Sequence, residues 1–155
     1  MDAPDKAIAI RGAIAAVIAF GSALFGWVGW LIVIWAICMV LDYLSGTWAA
    51  LKTGTWSSTI ARQGLWHKLG SIVAVCVAAL CDIAVVVVVG QLGSDLHYSG
   101  FITPVVALWY IFTELGSIAE NAGKLGSPIP PWLLKMIKKL HDKVDEAGNN
   151  IDNDD

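Results

Sequence analysis

The chain has 155 residues, of which 57% are hydrophobic and 15% charged, against about 25% charged in soluble domains. That composition excludes an ordinary soluble domain. The net charge of −3 says little because its acidic excess lies in the extreme C-terminal tail, and the ten Lys and Arg residues flank apolar segments instead of forming a nucleic-acid patch. Between Gly12 and Leu51 the only charged residue is Asp42; between Leu69 and Gln91 it is Asp82; between Leu96 and Ala119 it is Glu114. A membrane-spanning helix needs about 20 mostly apolar residues, so the first run holds two spans and each of the others one.

In chain order, the first predicted span covers residues 7–25. Lys6 and Arg11 before an apolar stretch have the layout of a signal peptide, but the stretch runs on into a second hydrophobic segment, so an uncleaved span is expected. Gly12, Ala15, Ala19, Ser22 and Gly26 recur at spacings of three and four, a small-residue stripe that lets helices approach closely in lipid and that also arises by chance in Ala-rich spans. Glycines and tryptophans at 25–30 predict a turn at a membrane surface. The second span follows over 27–51, then a polar connection over 52–68 without acidic residues, and a third span over 69–92. The Val85–Val89 run would suggest a strand in water, but in lipid at this length it reads as helix. A short loop over 93–100 leads to a fourth span over 101–121, with Pro104 in its first turn, where proline is tolerated.

Pro128, Pro130 and Pro131 break the chain after the transmembrane domain of residues 1–126. Leu133, Met136, Ile137, Leu140 and Val144 then share one helical face opposite Lys135, Lys138, Lys139 and Lys143. Residues 127–145 therefore predict a break and a basic amphipathic helix lying on an anionic membrane surface, or else packed on the protein's own loops. Residues 146–155 are acidic, with disorder expected. The fold class is an all-α integral membrane protein with four transmembrane helices, the alternative being three, plus a C-terminal interfacial helix. With four spans, all ten basic residues fall on the side of the two termini and the 52–68 loop, which the positive-inside rule makes cytoplasmic. Three spans would apply if residues 7–25 lay along the interface or re-entered.

Carboxylates inside a membrane are costly and mark functional candidates. Asp42 has Arg11 as a possible partner at similar depth, and Asp82 and Glu114 read either as helix–helix hydrogen-bonding groups or as lining of a polar lumen in an oligomer. Glu114, Ser117 and Asn121 fall at i, i+3 and i+7 on one face. Asp42, Asp82, Glu114, Ser117 and Asn121 are thus the candidate assembly or lumen residues. No catalytic, cofactor-binding or metal site is expected: His67, His97 and His141 lie in separate segments, and Cys38, Cys76 and Cys81 lack metal-site spacing.

Three ordered patterns carry a family resemblance: Asp42-Tyr-Leu-Ser-Gly46 within the second span, Ser57-Ser-Thr-Ile-Ala-Arg-Gln-Gly-Leu-Trp-His-Lys68 before the third, and Glu114-Leu-Gly-Ser-Ile-Ala-Glu-Asn-Ala-Gly-Lys-Leu-Gly126 before a proline-containing segment. Over residues 25 to 135 the chain resembles the phage lysis holins grouped with the clostridial toxin-secretion holins. The resemblance implies a protein of the bacterial inner membrane that homo-oligomerises and opens lesions, through which a cytoplasmic lysin, or in some relatives a toxin, leaves the cell. Matching positions are Asp42, Gly46, Arg62, Gly64, Lys68, Glu114, Glu120, Asn121 and Gly123, taken as structural or assembly positions. The eight tryptophans depart from the family pattern, and members are often drawn with three spans. Competing readings are a small oligomeric ion channel or transporter and a membrane scaffold, although no internal repeat of the kind common in transporters is visible.

Overall fold

The computed structural model describes residues 26–92, 98 and 100–150, together with Arg11, Ala15 and Ala19. Its helices are α1 (Trp27–Thr53), α2 (Ser58–Gln91), α3 (Ile102–Lys124) and α4 (Pro131–Asn149). The first three are long and apolar enough to cross a membrane, which makes this an all-helical membrane protein. The expected span over 7–25 lies outside the described residues, except for Arg11, Ala15 and Ala19, which are helical.

Local chemistry sets the helix ends. Gly26 precedes α1 at φ 57, a left-handed conformation open to glycine without steric cost. At the other end Gly54 is also left-handed, and its N–H donates to Leu51 O (3.3 Å) while that of Thr55 donates to Ala50 O (3.0 Å), a Schellman closure. Ser57 caps α2 by accepting the Thr59 N–H on its hydroxyl (3.3 Å). The polar connection expected over 52–68 therefore shrinks to four residues, because this cap starts the helix early. With 34 residues α2 is about 51 Å long, well beyond a hydrocarbon core of about 30 Å.

Because the 54–57 turn is tight, α2 runs antiparallel to α1, and α3 returns parallel to α1. The bundle is organised around α3: α1 packs chiefly on it, α2 packs on it, and α1 and α2 scarcely touch. Trp35, Cys38, Val75 and Ile111 form the small core, with the Trp35 and Tyr110 rings 5.8 Å apart. Large apolar side chains such as Val73, Val77, Leu80, Ile83 and Val86 point outward, as a surface that faces lipid requires.

Asp82 docks the start of α3 onto α2. Its carboxylate accepts the backbone N–H groups of Ile102 (3.0 Å) and Thr103 (2.7 Å), and the hydroxyls of Thr103 (2.5 Å) and Tyr98 (2.5 Å). The first N–H groups of a helix have no partner within it, and Phe101 supplies no side-chain cap, so a carboxylate from another helix fills the role. At the far end Lys52 Nζ donates to the Leu125 carbonyl, closing α3 against α1.

Pro131 opens α4 at the first helical position, where its missing N–H costs nothing. The helix runs to Asn149, so the first residues of the tail expected to be disordered are helical, and 151–155 lie outside the described residues. It folds back antiparallel along the flank of α3. Thr113 Oγ1 meets His141 Nε2 at 3.2 Å, and Trp109 Nε1 donates to Asp145 Oδ1 at 3.1 Å. The sequence placed this helix on a membrane surface or against loops; here it lies against a span. Lys143 and Glu146 pair in the open at 2.7 Å, and that hydrogen bond raises the lysine pKa and lowers the glutamate's.

Asp82→Ala leaves two backbone N–H groups and two hydroxyls without their acceptor, and is expected to cost about 2 kcal/mol or more. Asp82→Asn, which keeps one acceptor oxygen, is expected to lose roughly half as much. Unfolding of the purified protein in mixed detergent–SDS micelles measures both.

Candidate functional site

Three helices contribute one buried charge layer. Lys68 Nζ of α2 lies 3.0 Å from Asp42 Oδ2 of α1 and 2.6 Å from Glu114 Oε2 of α3. The side chains are 15%, 18% and 11% exposed respectively. The convergence follows from helix length: Asp42 lies 11 residues before the end of α1, Lys68 ten after the start of α2, and Glu114 ten before the end of α3. At 1.5 Å per residue all three sit about 15 Å from the same end of the bundle. One ammonium faces two carboxylates, so the trio carries a formal charge of −1 when all are ionised.

The layer continues through amides and hydroxyls. Asn121 Nδ2 donates to Asp42 Oδ1 (3.1 Å) and to Ser45 Oγ (3.2 Å), while Ser45 donates to the Asp42 carbonyl (3.1 Å). Gly46 makes room for this: a Cβ there would stand 3.3 Å from Asn121 Nδ2. Because α1 and α2 splay apart on either side of α3, a cleft of about 610 Å³ opens beside the layer.

Of the residues singled out from sequence, Asp42, Glu114, Ser117 and Asn121 line this cleft, and so do Gly46, Gly64 and Lys68. Asp82 does not; it lies at the opposite end of α3 as a cap. Arg62 and Glu120 are exposed and Gly123 borders open space. The partner of Asp42 is Lys68 rather than Arg11. Sequence reasoning ranked Lys68 only as a family-matching position, and it missed Tyr98 and Thr103 as partners of Asp82. A signal for Lys68 existed, since it is the last cation before the third apolar run and is level with both acids. Among the described residues no three His, Cys, Asp or Glu side chains are grouped to hold a metal ion.

The bacteriophage holin family model matches residues 19–142, a stretch that includes every cleft residue named above. The chain belongs to the bacteriophage holin family. Holins are membrane pore-forming and non-enzymatic, and membership together with three apolar helices makes this a multi-pass protein of the bacterial inner membrane in contact with lipid. Among its relatives, an uncharacterized protein of Halalkalibacterium halodurans is 35% identical over 109 residues, covering 70% of this chain and 75% of its own. An uncharacterized protein of Clostridium perfringens is 31% identical over 140 residues, covering 86% and 91%. Another from Bacillus subtilis is 28% identical over 129 residues, covering 83% and 84%. No solved structure matches the chain.

Removing one member of a buried ion cluster leaves uncompensated charge, and typically costs about 3–5 kcal/mol. Lys68→Met in this holin is expected to destabilise the bundle by that amount. The triple change Lys68→Met with Asp42→Asn and Glu114→Gln is expected to recover most of it, since no charge is then stranded. SDS-induced unfolding of the three proteins compares them directly.

Proposed function

We propose that this holin homo-oligomerises in the inner membrane and opens lesions through which a cytoplasmic lysin, or a toxin, leaves the cell. The observation that carries the reading is a cleft of about 610 Å³ whose largely apolar walls, with Trp56, Ile60 and Trp109 among them, carry a band of charged and polar side chains, within a bundle whose outer surface is apolar. In a single copy Lys68 pairs with Asp42 and Glu114, and Asn121 donates to Asp42. When several copies meet, clefts brought together align their polar bands, with Asp42, Glu114, Ser117 and Asn121 as the lumen or assembly face. Asp82 contributes by holding α3 in register with α2 rather than by facing a lumen.

The topology that goes with this reading has four spans, with residues 7–25 crossing first and both termini in the cytoplasm. The one-sided distribution of all ten basic residues supports it. Three spans is the alternative, and it would place the termini on opposite sides. A second functional reading, a small oligomeric cation channel, draws on the formal excess of one negative charge in the layer.

Inducible expression with a co-expressed cytoplasmic lysin tests the proposal. Delayed, abrupt lysis is expected; graded ion leakage without lysis would instead establish the channel, and a harmless product would sink both. Glu114→Gln and Glu114→Leu are expected to move lysis onset severalfold, because about 1.4 kcal/mol in an assembly step is tenfold in its equilibrium constant. Unchanged onset in both variants removes Glu114 from any gating role.

A further inference from the structure

Helix α4 is bound to α3 by one edge only. Leu133, Ile137, His141 and Val144 form its half-buried inner stripe, and no residue of the helix is fully buried. Trp132 (61% exposed), Met136 and Leu140 are left uncovered on the outer part of the same apolar face. Lys135, Lys138, Lys139 and Lys143 are exposed beside them.

The docked position conflicts with membrane crossing. Helix α4 reaches at least as far as Trp109, whose indole N–H donates to Asp145, which leaves at most Ile102 to Leu108 of α3 beyond that contact. Those residues span about 10 Å, a third of a hydrocarbon core. Were α3 to cross with α4 still attached, Lys138, Lys139 and Lys143 would enter the bilayer exposed to lipid, with Asp145 and Glu146 deeper still, which lipid strongly disfavours. A docked α4 and a spanning α3 therefore exclude one another.

Charge points to where α4 goes instead. From Pro131 to His141 the helix carries three lysines and no acid, while Asp142, Asp145 and Glu146 lie in its distal part. The cationic part is the one next to the 125–130 turn, where Lys52 and Lys124 add to it. Swung away from α3, this part lies at headgroup level with Trp132, Met136 and Leu140 available to the acyl boundary, the arrangement that suits an anionic leaflet.

We infer that α4 is a detachable arm with two alternative docking surfaces, the flank of α3 and an anionic lipid leaflet, and that α3 crosses the bilayer only with the arm on lipid. The consequence for lesions rests on the hole-forming reading; the choice of surface does not. The test uses the full chain carrying Cys38→Ala, Cys76→Ala and Cys81→Ala, with Thr113→Cys and His141→Cys bridged by a short, reducible bis-methanethiosulfonate.

Bridging is expected to be efficient in detergent and to fall sharply in vesicles containing phosphatidylglycerol, with phosphatidylcholine vesicles between them. Protein bridged beforehand is expected to lose dye release from phosphatidylglycerol vesicles, and reductant is expected to restore it. Equal bridging in detergent and in phosphatidylglycerol vesicles overturns the inference, as does bridged protein that releases dye as fast as reduced protein. If neither form releases dye, the hole-forming reading fails, and the bridging yields alone still decide where α4 sits.

Discussion

The Lys68 ammonium, shared between Asp42 and Glu114, is the contact on which the rest of the bundle depends. In lipid, apolar side chains gain nothing by choosing each other over acyl chains, so van der Waals packing of α1 and α2 on α3 gives weak specificity by itself. A charge in that setting has few alternatives, and here each of the three ions comes from a different helix. The cluster thus sets rotation and vertical register together. Its position about 15 Å from one end of each helix turns three separately costly residues into one shared solution.

Asp82 acts at the other end by a different kind of bonding. There the carboxylate meets no cation; it meets the unpaired N–H groups at the start of α3 and two hydroxyls. Between them, Asp82 and Lys68 pin α3 to α2 at two levels, which explains how α1 and α2 can stand apart without the bundle losing order. The cleft is a consequence of that spacing. The polar band along it exists because the layer needs hydrogen-bonding neighbours, and on the hole-forming proposal that band is what would come to face water.

The two acids that looked equivalent as intramembrane carboxylates therefore differ in role. Glu114 belongs to a charged network beside an open cleft, while Asp82 is saturated by donors and closed off. Helix α4 adds a third relationship, in which polar contacts along a span compete with the attraction of a lysine-rich face for headgroups. Competition of that kind ties the position of a short terminal helix to the insertion of its neighbour.

By itself the sequence determined that the chain is an all-helical membrane protein, and three of its four expected spans, near 27–51, 69–92 and 101–121, fall on described helices, because long apolar runs in lipid leave the backbone no other way to satisfy its hydrogen bonds. It also marked Asp42, Glu114 and Asn121, since charge in an apolar run is conspicuous without any structure. Partners were not legible, because i, i+3 and i+7 spacing describes one helix and says nothing about which neighbour faces it. Only the tertiary structure decided that Lys68 and not Arg11 serves Asp42, that Asp82 is a cap, and that the Ser57 cap starts α2 eleven residues before the apolar run. Those outcomes depend on helix lengths and rotations that no single segment encodes, and they are settled where three helices bring their few polar groups to one level.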